Sequence, residues 1–191
     1  MILETNKSSE TEEVMVLVLS HCILNQATRW WQEGKLIERN QGPIDQIPEF
    51  LSTHKIGAVQ LPCPEFGFFG NPRPPATKDK YENIPEFQAH CENLAKDSAR
   101  HLKILVIGAK NPKIRILAVV GVERSPSCGV NCTPRKVNGK TRLLDEKGLF
   151  IEFLDSEMKK YGLEIPLMGL DVKRPGDFCR KLTNLLNKTS E

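Results

Sequence analysis

Three cysteines of this chain follow three separate apolar segments that have the length of buried strands. They lie in Ser20-His21-Cys22, in Leu61-Pro62-Cys63-Pro64-Glu65 and in Ser125-Pro126-Ser127-Cys128-Gly129. Because the carboxyl ends of parallel strands meet at one edge of a sheet, we expect the three thiols to converge on one crevice. We also expect the helices that follow to point their N-termini at this crevice, where the helix dipole favours thiolate.

Three thiolates around one pocket suit a metal with an open coordination position. Zinc in this arrangement would be catalytic, whereas all-thiolate ligation without histidine favours an iron–sulfur cluster. In a 4Fe-4S cluster held by three cysteines, one iron has no protein ligand and can act as a Lewis acid. The alternative is that the cysteines are inert core residues, as we predict for Cys91 and Cys179 on apolar helix stripes. Cys132, four residues after Cys128, fits a fourth ligand, a redox partner or no function.

The elements that position these cysteines alternate along the chain. Runs of mainly apolar residues predict strands at 14–19, 57–61, 114–122 and 165–170. Apolar spacing of three or four residues predicts helices around 44–51, after Pro85, at 149–161 and at 178–186. The alternation predicts an α/β fold: one Rossmann-like domain over residues 14–191, with a mainly parallel sheet of about four strands and helices on both faces. Residues 1–13 are predicted to be a mobile tail.

Composition narrows the class of protein. A chain of 191 residues with 39% hydrophobic and 27% charged residues is typical of one globular domain. No apolar run approaches the ~18 residues that span a bilayer, and the polar first residues are unlike a signal peptide, so we expect a cytoplasmic protein. A net charge of +3 gives no strong signal for nucleic acid. Six cysteines in such a compartment are expected as thiols or ligands and not as disulfides.

The cysteine segments resemble those of the TudS-type thiouracil desulfidase family, over roughly residues 14 to 130. The likeness rests on Ser20-x-Cys22, on Cys63-Pro64-Glu65 followed by Pro72-Arg73-Pro74-Pro75, and on Ser125-Pro126-Ser127-Cys128-Gly129. The resemblance implies a 4Fe-4S cluster held by Cys22, Cys63 and Cys128. It also implies a hydrolytic activity that converts C=S to C=O in a thiolated pyrimidine base, nucleoside or nucleotide, with the iron that lacks a cysteine ligand accepting the sulfur.

Hydrolysis of this kind needs groups that accept and donate protons. Glu65, two residues from a predicted ligand, is the candidate general acid or base. The alternative is that Glu65 only caps the helix that follows. Ser125 and Ser127 are candidate hydrogen-bond donors to substrate or cluster sulfur. Turn formation beside Pro126 accounts for these serines equally well.

Two arginines and one tryptophan are the candidate substrate-binding residues. Arg73 and Arg124 are candidates for an anionic group such as a nucleotide phosphate. Trp30 is a candidate for stacking on a pyrimidine ring. Outside the expected site, we interpret the basic residues Arg135, Lys136, Lys140 and Arg142 as a solvated surface.

Two other hypotheses for the function of the chain stay open. The main alternative to an enzyme is a non-catalytic module that binds an iron–sulfur cluster or zinc and carries sulfide. A weaker alternative is a nucleotide-binding domain with inert cysteines. Against it, no G-x-G-x-x-G follows the first strand, and Gly139-Lys140-Thr141 lacks the earlier glycine of a phosphate-binding loop because Pro134 stands there.

Overall fold

The computed structural model of the protein describes residues 12–31 and 41–188. Its strands are β1 (Glu13–Leu19), β2 (Gly57–Gln60), β3 (Lys113–Val122), β4 (Thr133–Val137), β5 (Lys140–Leu144) and β6 (Leu167–Leu170). Its helices are α1 (His21–Leu24), α2 (Ile47–Thr53), α3 (Pro64–Phe69), α4 (Lys78–Glu82), α5 (Pro85–Gly108), α6 (Leu149–Lys160) and α7 (Pro175–Lys188). The predicted tail falls outside the described residues up to position 11, and β1 already begins at its last residue, Glu13.

Four strands form one parallel sheet in the order β2-β1-β3-β6. The predicted α/β class with about four parallel strands is therefore confirmed. The chain passes from β1 to β2 on one side and later returns to β3 on the other side of β1. Between β1 and β3 the strand order reverses, and ligands of open α/β sheets bind in the crevice beyond such a switch point.

Helices cover both faces of the sheet, as predicted. On one face α5 and α6 pack over a core that includes Phe87, Phe150 and Leu154, each fully buried. On the other face, Ile47 of α2 and Phe178 of α7 belong to a second core together with apolar residues of β1 and β3. Because both faces are covered, the last seven residues of β3 are all buried, and none of them has a polar side chain.

The longest helix, α5, begins at Pro85, whose fixed φ suits the first helical position. Its buried stripe includes Phe87, Cys91, Ala95 and Leu102, none of which has any exposed surface. Cys91 is thus a core residue, as predicted. Among the described residues, no helix has the length and apolar character needed to cross a membrane.

A β-hairpin that the sequence analysis did not predict follows the Cys128 segment. Strands β4 and β5 pair antiparallel, with Val137 opposite Lys140. The two residues between them, Asn138 and Gly139, have φ of 50° and 74°, as a type I′ turn requires. Asn-Gly between two short strands is a strong hairpin signal, so this element was readable from the sequence.

Candidate functional site

A cavity of about 590 Å³ lies beyond the carboxyl ends of β1, β2 and β3. Its lining includes the three cysteines named above and three candidate catalytic residues: Cys22, Cys63, Cys128, Glu65, Ser125 and Ser127. The structure thus brings together residues that are more than 100 positions apart in the sequence. They meet at the switch point because β1 and β3 are neighbours in the sheet.

Each cysteine is held by a different local structure. Cys22 is the second residue of the short helix α1. Cys63 is the N-cap of α3, where its Sγ accepts a hydrogen bond from the Phe66 N–H at 3.4 Å. Cys128 lies in a turn in which its own N–H donates to Ser125 Oγ at 3.0 Å. Cys63 therefore lies at the N-terminus of α3, and Cys22 lies in the first turn of the four-residue helix α1.

The Cys128 loop, defined here as residues 125–129, packs backbone against backbone on the start of α6. The N–H groups of Leu149 and Phe150 donate to the carbonyl oxygens of Pro126 and Ser127, both at 3.0 Å. A Cβ on Gly148 would lie 2.5 Å from the Ser127 carbonyl carbon, so only glycine allows this approach. The N-terminus of α6 therefore meets the Cys128 loop, whose carbonyl oxygens accept its first N–H groups.

Burial raises the pKa of all three thiols. The pKa of Cys22 rises to about 12, first through burial and then through the nearby Cys63. The pKa of Cys128 rises well above 9.0, through burial and then through Cys63 and Cys22. The pKa of Cys63 also rises, through burial and then through Glu65. Three thiolates this close together need a cationic group among them to stay deprotonated.

The donor set fits an iron–sulfur cluster by its chemistry. It is all sulfur, and soft thiolate ligands select such clusters, zinc and Cu(I). Among the described residues, no three His, Cys, Asp or Glu side chains are grouped so that they could hold a single metal ion. Cysteines that hold a four-iron cluster bind different irons and lie farther apart than ligands of one ion. Ser20, two residues before Cys22, is buried and its Oγ has no hydrogen-bond partner among the described residues.

Glu65 is a buried carboxylate that accepts from several segments at once. Its Oε1 accepts from Ser127 Oγ at 2.6 Å and from Ser125 Oγ at 3.4 Å. Its Oε2 accepts from the Tyr81 hydroxyl at 3.0 Å and lies 3.5 Å from Arg73 Nε. These partners all lie outside α3, so capping of that helix does not account for the residue. The carboxylate of Glu65, which is 7% exposed, instead connects α3, α4, the proline-rich segment 72–75 and the Cys128 loop.

Arg73 reaches the cavity, but its guanidinium already has partners in the protein. Besides facing Glu65, it donates to the carbonyl oxygens of Thr28 at 2.7 Å and Gly70 at 3.1 Å. It also donates to Asn71 Oδ1 at 2.6 Å. Binding of an anionic substrate by Arg73 stays a prediction. What the structure shows is that the Arg73 guanidinium forms an ion pair with the carboxylate of Glu65.

The other two candidate substrate-binding residues also line the cavity. Arg124 has a positive φ of 64° and its side chain forms an ion pair with Asp171. Trp30 lies on the cavity wall. Their roles towards a substrate stay predictions.

The β4–β5 hairpin supplies a cavity wall that the sequence analysis missed. Pro134, Lys136, Thr141 and Leu143 all line the cavity, although β5 is exposed along its whole length. The hairpin signal at Asn138-Gly139 would have revealed the element. No local pattern would have revealed that it folds against the cysteines, since that depends on where α4 and α6 lie.

An ionic network, defined here as Lys78, Glu82, Arg135, Glu146 and Glu152, holds this hairpin in place. Arg135 on β4 contacts Glu82 and Glu146, each at 2.5 Å. Lys78 is almost fully buried and reaches Glu152 at 2.7 Å and Glu146 at 3.3 Å. The interpretation of Arg135 as a solvated surface residue is therefore wrong, whereas Lys136 is exposed, as predicted, and also lines the cavity.

Comparison with known proteins gives two similarities. No family model matches the chain. A protein from Methanocaldococcus jannaschii, described as "uncharacterized protein MJ0003", is 28% identical over 115 residues, which are 60% of this chain and 67% of that protein. A solved structure of a [4Fe-4S]-dependent thiouracil desulfidase, TudS (DUF523Vcz), aligns over 90% of this chain and 98% of its own, with 21% identity and a TM-score of 0.49. At this identity the likeness says nothing about the activity of this chain.

Proposed function

We propose that this protein is a 4Fe-4S-dependent desulfidase that hydrolyses the C=S bond of a thiolated pyrimidine base, nucleoside or nucleotide to C=O. The observation that carries the proposal is the meeting of three thiols, a buried carboxylate and two hydroxyls on one cavity at the switch point. The sequence motifs around Cys22, Cys63 and Cys128 resemble the desulfidase family at these same positions.

Cys22, Cys63 and Cys128 would hold the cluster. When bound, a cluster with one iron free of protein ligands supplies a Lewis acid for the substrate sulfur. The overall reaction takes up one water and releases one hydrogen sulfide, so no electrons are gained or lost. The cavity is far larger than the ~30 Å³ share of one water, so it has room for an organic ligand beside the cysteines.

The proton chemistry falls to Glu65. Its Oε1 faces the two serine hydroxyls on the cavity side, where the carboxylate can take a proton from the attacking water. The protonated carboxyl can then return that proton to the departing sulfur or to a ring nitrogen. Ser127 Oγ lies 2.6 Å from Glu65 Oε1 and 3.5 Å from Cys128 Sγ, so it links the proton-transfer group to a predicted ligand.

The first experiment measures iron and acid-labile sulfide after anaerobic purification and reconstitution, together with the visible spectrum. We expect about four of each per chain. Cys22→Ser, Cys63→Ser and Cys128→Ser should each lose iron, while Cys179→Ser, on α7 and away from the cavity lining, should keep it. Three cavity variants that keep full iron, or a folded wild-type protein that takes up only zinc, would contradict the proposal.

A second experiment separates an enzyme from a module that only carries sulfide. Sulfide release from 2-thiouracil, 4-thiouridine and 4-thio-UMP is measured for the loaded wild-type protein and for Glu65→Gln. General acid–base catalysis contributes about 10²- to 10⁴-fold, so we expect a loss of that size with iron content unchanged. A loaded wild-type protein that releases no sulfide from any thiolated pyrimidine would favour the carrier.

A further inference from the structure

Tyr81 is a buried residue whose hydroxyl lies behind the Glu65 carboxylate. It is 3% exposed and is absent from the cavity lining formed by the described residues, so it has no direct access to a bound substrate. Its hydroxyl donates to Glu65 Oε2 at 3.0 Å. Nothing in the local sequence around Tyr81 indicates this contact, which exists because α4 packs beside α3.

The ring of Tyr81 is held rigidly on the other side. It stacks on Phe69 with centroids 5.5 Å apart and an interplanar angle of 18°. Phe87 of α5 packs against it with centroids 4.5 Å apart. An aromatic ring fixed by two neighbours places its hydroxyl in one position, and a carboxylate that accepts from it takes up that position too.

The carboxylate needs such a restraint because its terminal torsion is soft. The last torsion of a glutamate has a broad, roughly two-fold distribution, so packing around the side chain alone does not select one orientation. Here the two oxygens have different partners: Oε2 meets Tyr81 and Arg73, and Oε1 meets Ser127 and Ser125. Burial, and then the charge of Glu65, raise the pKa of Tyr81 above its usual value, so the hydroxyl keeps its proton and remains a donor.

We propose that Tyr81 is a positioning residue, which acts through Glu65 by fixing Oε2 and thereby aiming Oε1 at the cavity. This inference rests on the proposed function, since it gives Glu65 the proton-transfer role. It assigns a task to a side chain that touches neither the predicted ligands nor a substrate.

The test uses Tyr81→Phe, which removes the hydroxyl and keeps the ring between Phe69 and Phe87. We expect kcat to fall about 10- to 100-fold, with KM changed less than about threefold, because the carboxylate is misplaced and the binding surface is intact. Iron content should match the wild type. Tyr161→Phe is the matched control: it makes the same chemical change at the end of α6, where Tyr161 packs under Lys103.

Two outcomes of this assay decide whether Tyr81 acts through Glu65. In a Glu65→Gln background, Tyr81→Phe should leave the residual turnover within about twofold, because residues that act as a unit are not additive. A further tenfold loss in that background would overturn the inference and leave the proposed function standing. So would a Tyr81→Phe variant with wild-type kcat.

A second measurement does not depend on turnover or on how well Tyr81→Phe folds. The chain has two tyrosines, so fluorotyrosine incorporated into Tyr161→Phe labels position 81 alone. We expect its fluorine resonance to shift when Glu65→Gln is added. An unchanged resonance would overturn the inference. If instead the resonance shifts but the loaded wild-type protein releases no sulfide, the contact is real, the proposed function fails, and the positioning role fails with it.

Discussion

Two walls of the same cavity are held by different kinds of interaction. The Cys128 loop is fixed by backbone contacts: its carbonyls accept from the start of α6, and Gly148 allows an approach with no room for a methyl group. The β4–β5 hairpin begins a few residues later and is fixed by charge, through Arg135, Glu146 and Lys78. Closely packed backbone segments can move little relative to each other. Ion pairs at a partly solvated surface allow larger displacements, because each pair contributes little free energy.

This contrast matches two tasks that the proposed function gives to the cavity, which are catalysis and substrate binding. The loop carries a predicted cluster ligand and two hydroxyls that meet Glu65, so small displacements there would alter the chemistry. The hairpin contributes Lys136, Thr141 and Leu143 to the lining, where they would contact the parts of the proposed substrate that are distant from its sulfur. We therefore expect the loop to control iron binding and turnover, and the hairpin to control substrate affinity.

The largest effect should come from Gly148→Ala. The added Cβ would lie 2.5–2.7 Å from Ser127 and Cys128 backbone atoms, and backbone cannot move aside as a flexible side chain can. We expect a loss of about 3 kcal/mol or more in the free energy of unfolding, with reduced iron per chain, measured by urea denaturation and iron analysis. Gly108→Ala is the control, because its nearest neighbour is an Ile104 side-chain carbon at 3.8 Å. Full iron binding in Gly148→Ala would contradict the claim that backbone packing of the Cys128 loop controls iron binding.

Glu146→Gln should have a moderate effect and should act on the other wall. It removes the charge that pairs with Arg135 and Lys78, while Lys78 keeps Glu152 at 2.7 Å. We expect the free energy of unfolding to fall by about 1–3 kcal/mol, with iron content unchanged and KM raised more than kcat is lowered. Glu92→Gln, which breaks an exposed pair with Lys96, should change little. Iron loss in Glu146→Gln would show that the two walls are not independent.

Acid sharpens the same comparison, because Glu146 titrates and the backbone contacts of the loop do not. Hydrogen bonds from Arg135 lower the pKa of Glu146 from 4.5 to about 2. A carboxylate whose folded pKa is depressed stabilises the protein above its unfolded pKa, and this contribution disappears as the pH falls from about 4.5 to about 2. The stability gap between wild type and Glu146→Gln, measured with urea, should therefore be present at pH 6 and shrink towards pH 3. A gap that stays constant over this window would contradict the assignment.

The smallest effect should come from Gly139→Ala in the hairpin turn. Gly139 has φ of +74° and nothing within 4 Å of an added Cβ, so the cost is conformational only. We expect a loss of about 1 kcal/mol in the free energy of unfolding, with iron content and kcat unchanged. Urea denaturation, iron analysis and the desulfidation assay measure these three quantities. A loss as large as that of Gly148→Ala would mean that the hairpin is an integral part of the core.

Much of the secondary structure and part of the core could be predicted from local sequence patterns. The strand around Val18, the long helix after Pro85 and the core position of Cys91 follow from apolar runs and periodicity, which burial on both faces of a sheet imposes. The Asn138-Gly139 turn has an equally strong local signal, although the sequence analysis predicts no hairpin there. The ligand and substrate roles of Cys22, Cys63, Cys128, Arg124 and Trp30 stay predictions.

The sequence by itself determined that apolar strands alternate with helices and that three cysteines follow strand ends, since both depend on neighbours along the chain. Only the tertiary structure decided which side chains meet Glu65 and which hold the hairpin. Tyr81, Arg73 and Ser127 come from segments whose separation along the chain carries no local signal. Hydrogen bonds and ion pairs act over a few ångströms of space, so the packing of α3, α4 and α6 on the sheet sets them and no pattern of neighbouring residues can.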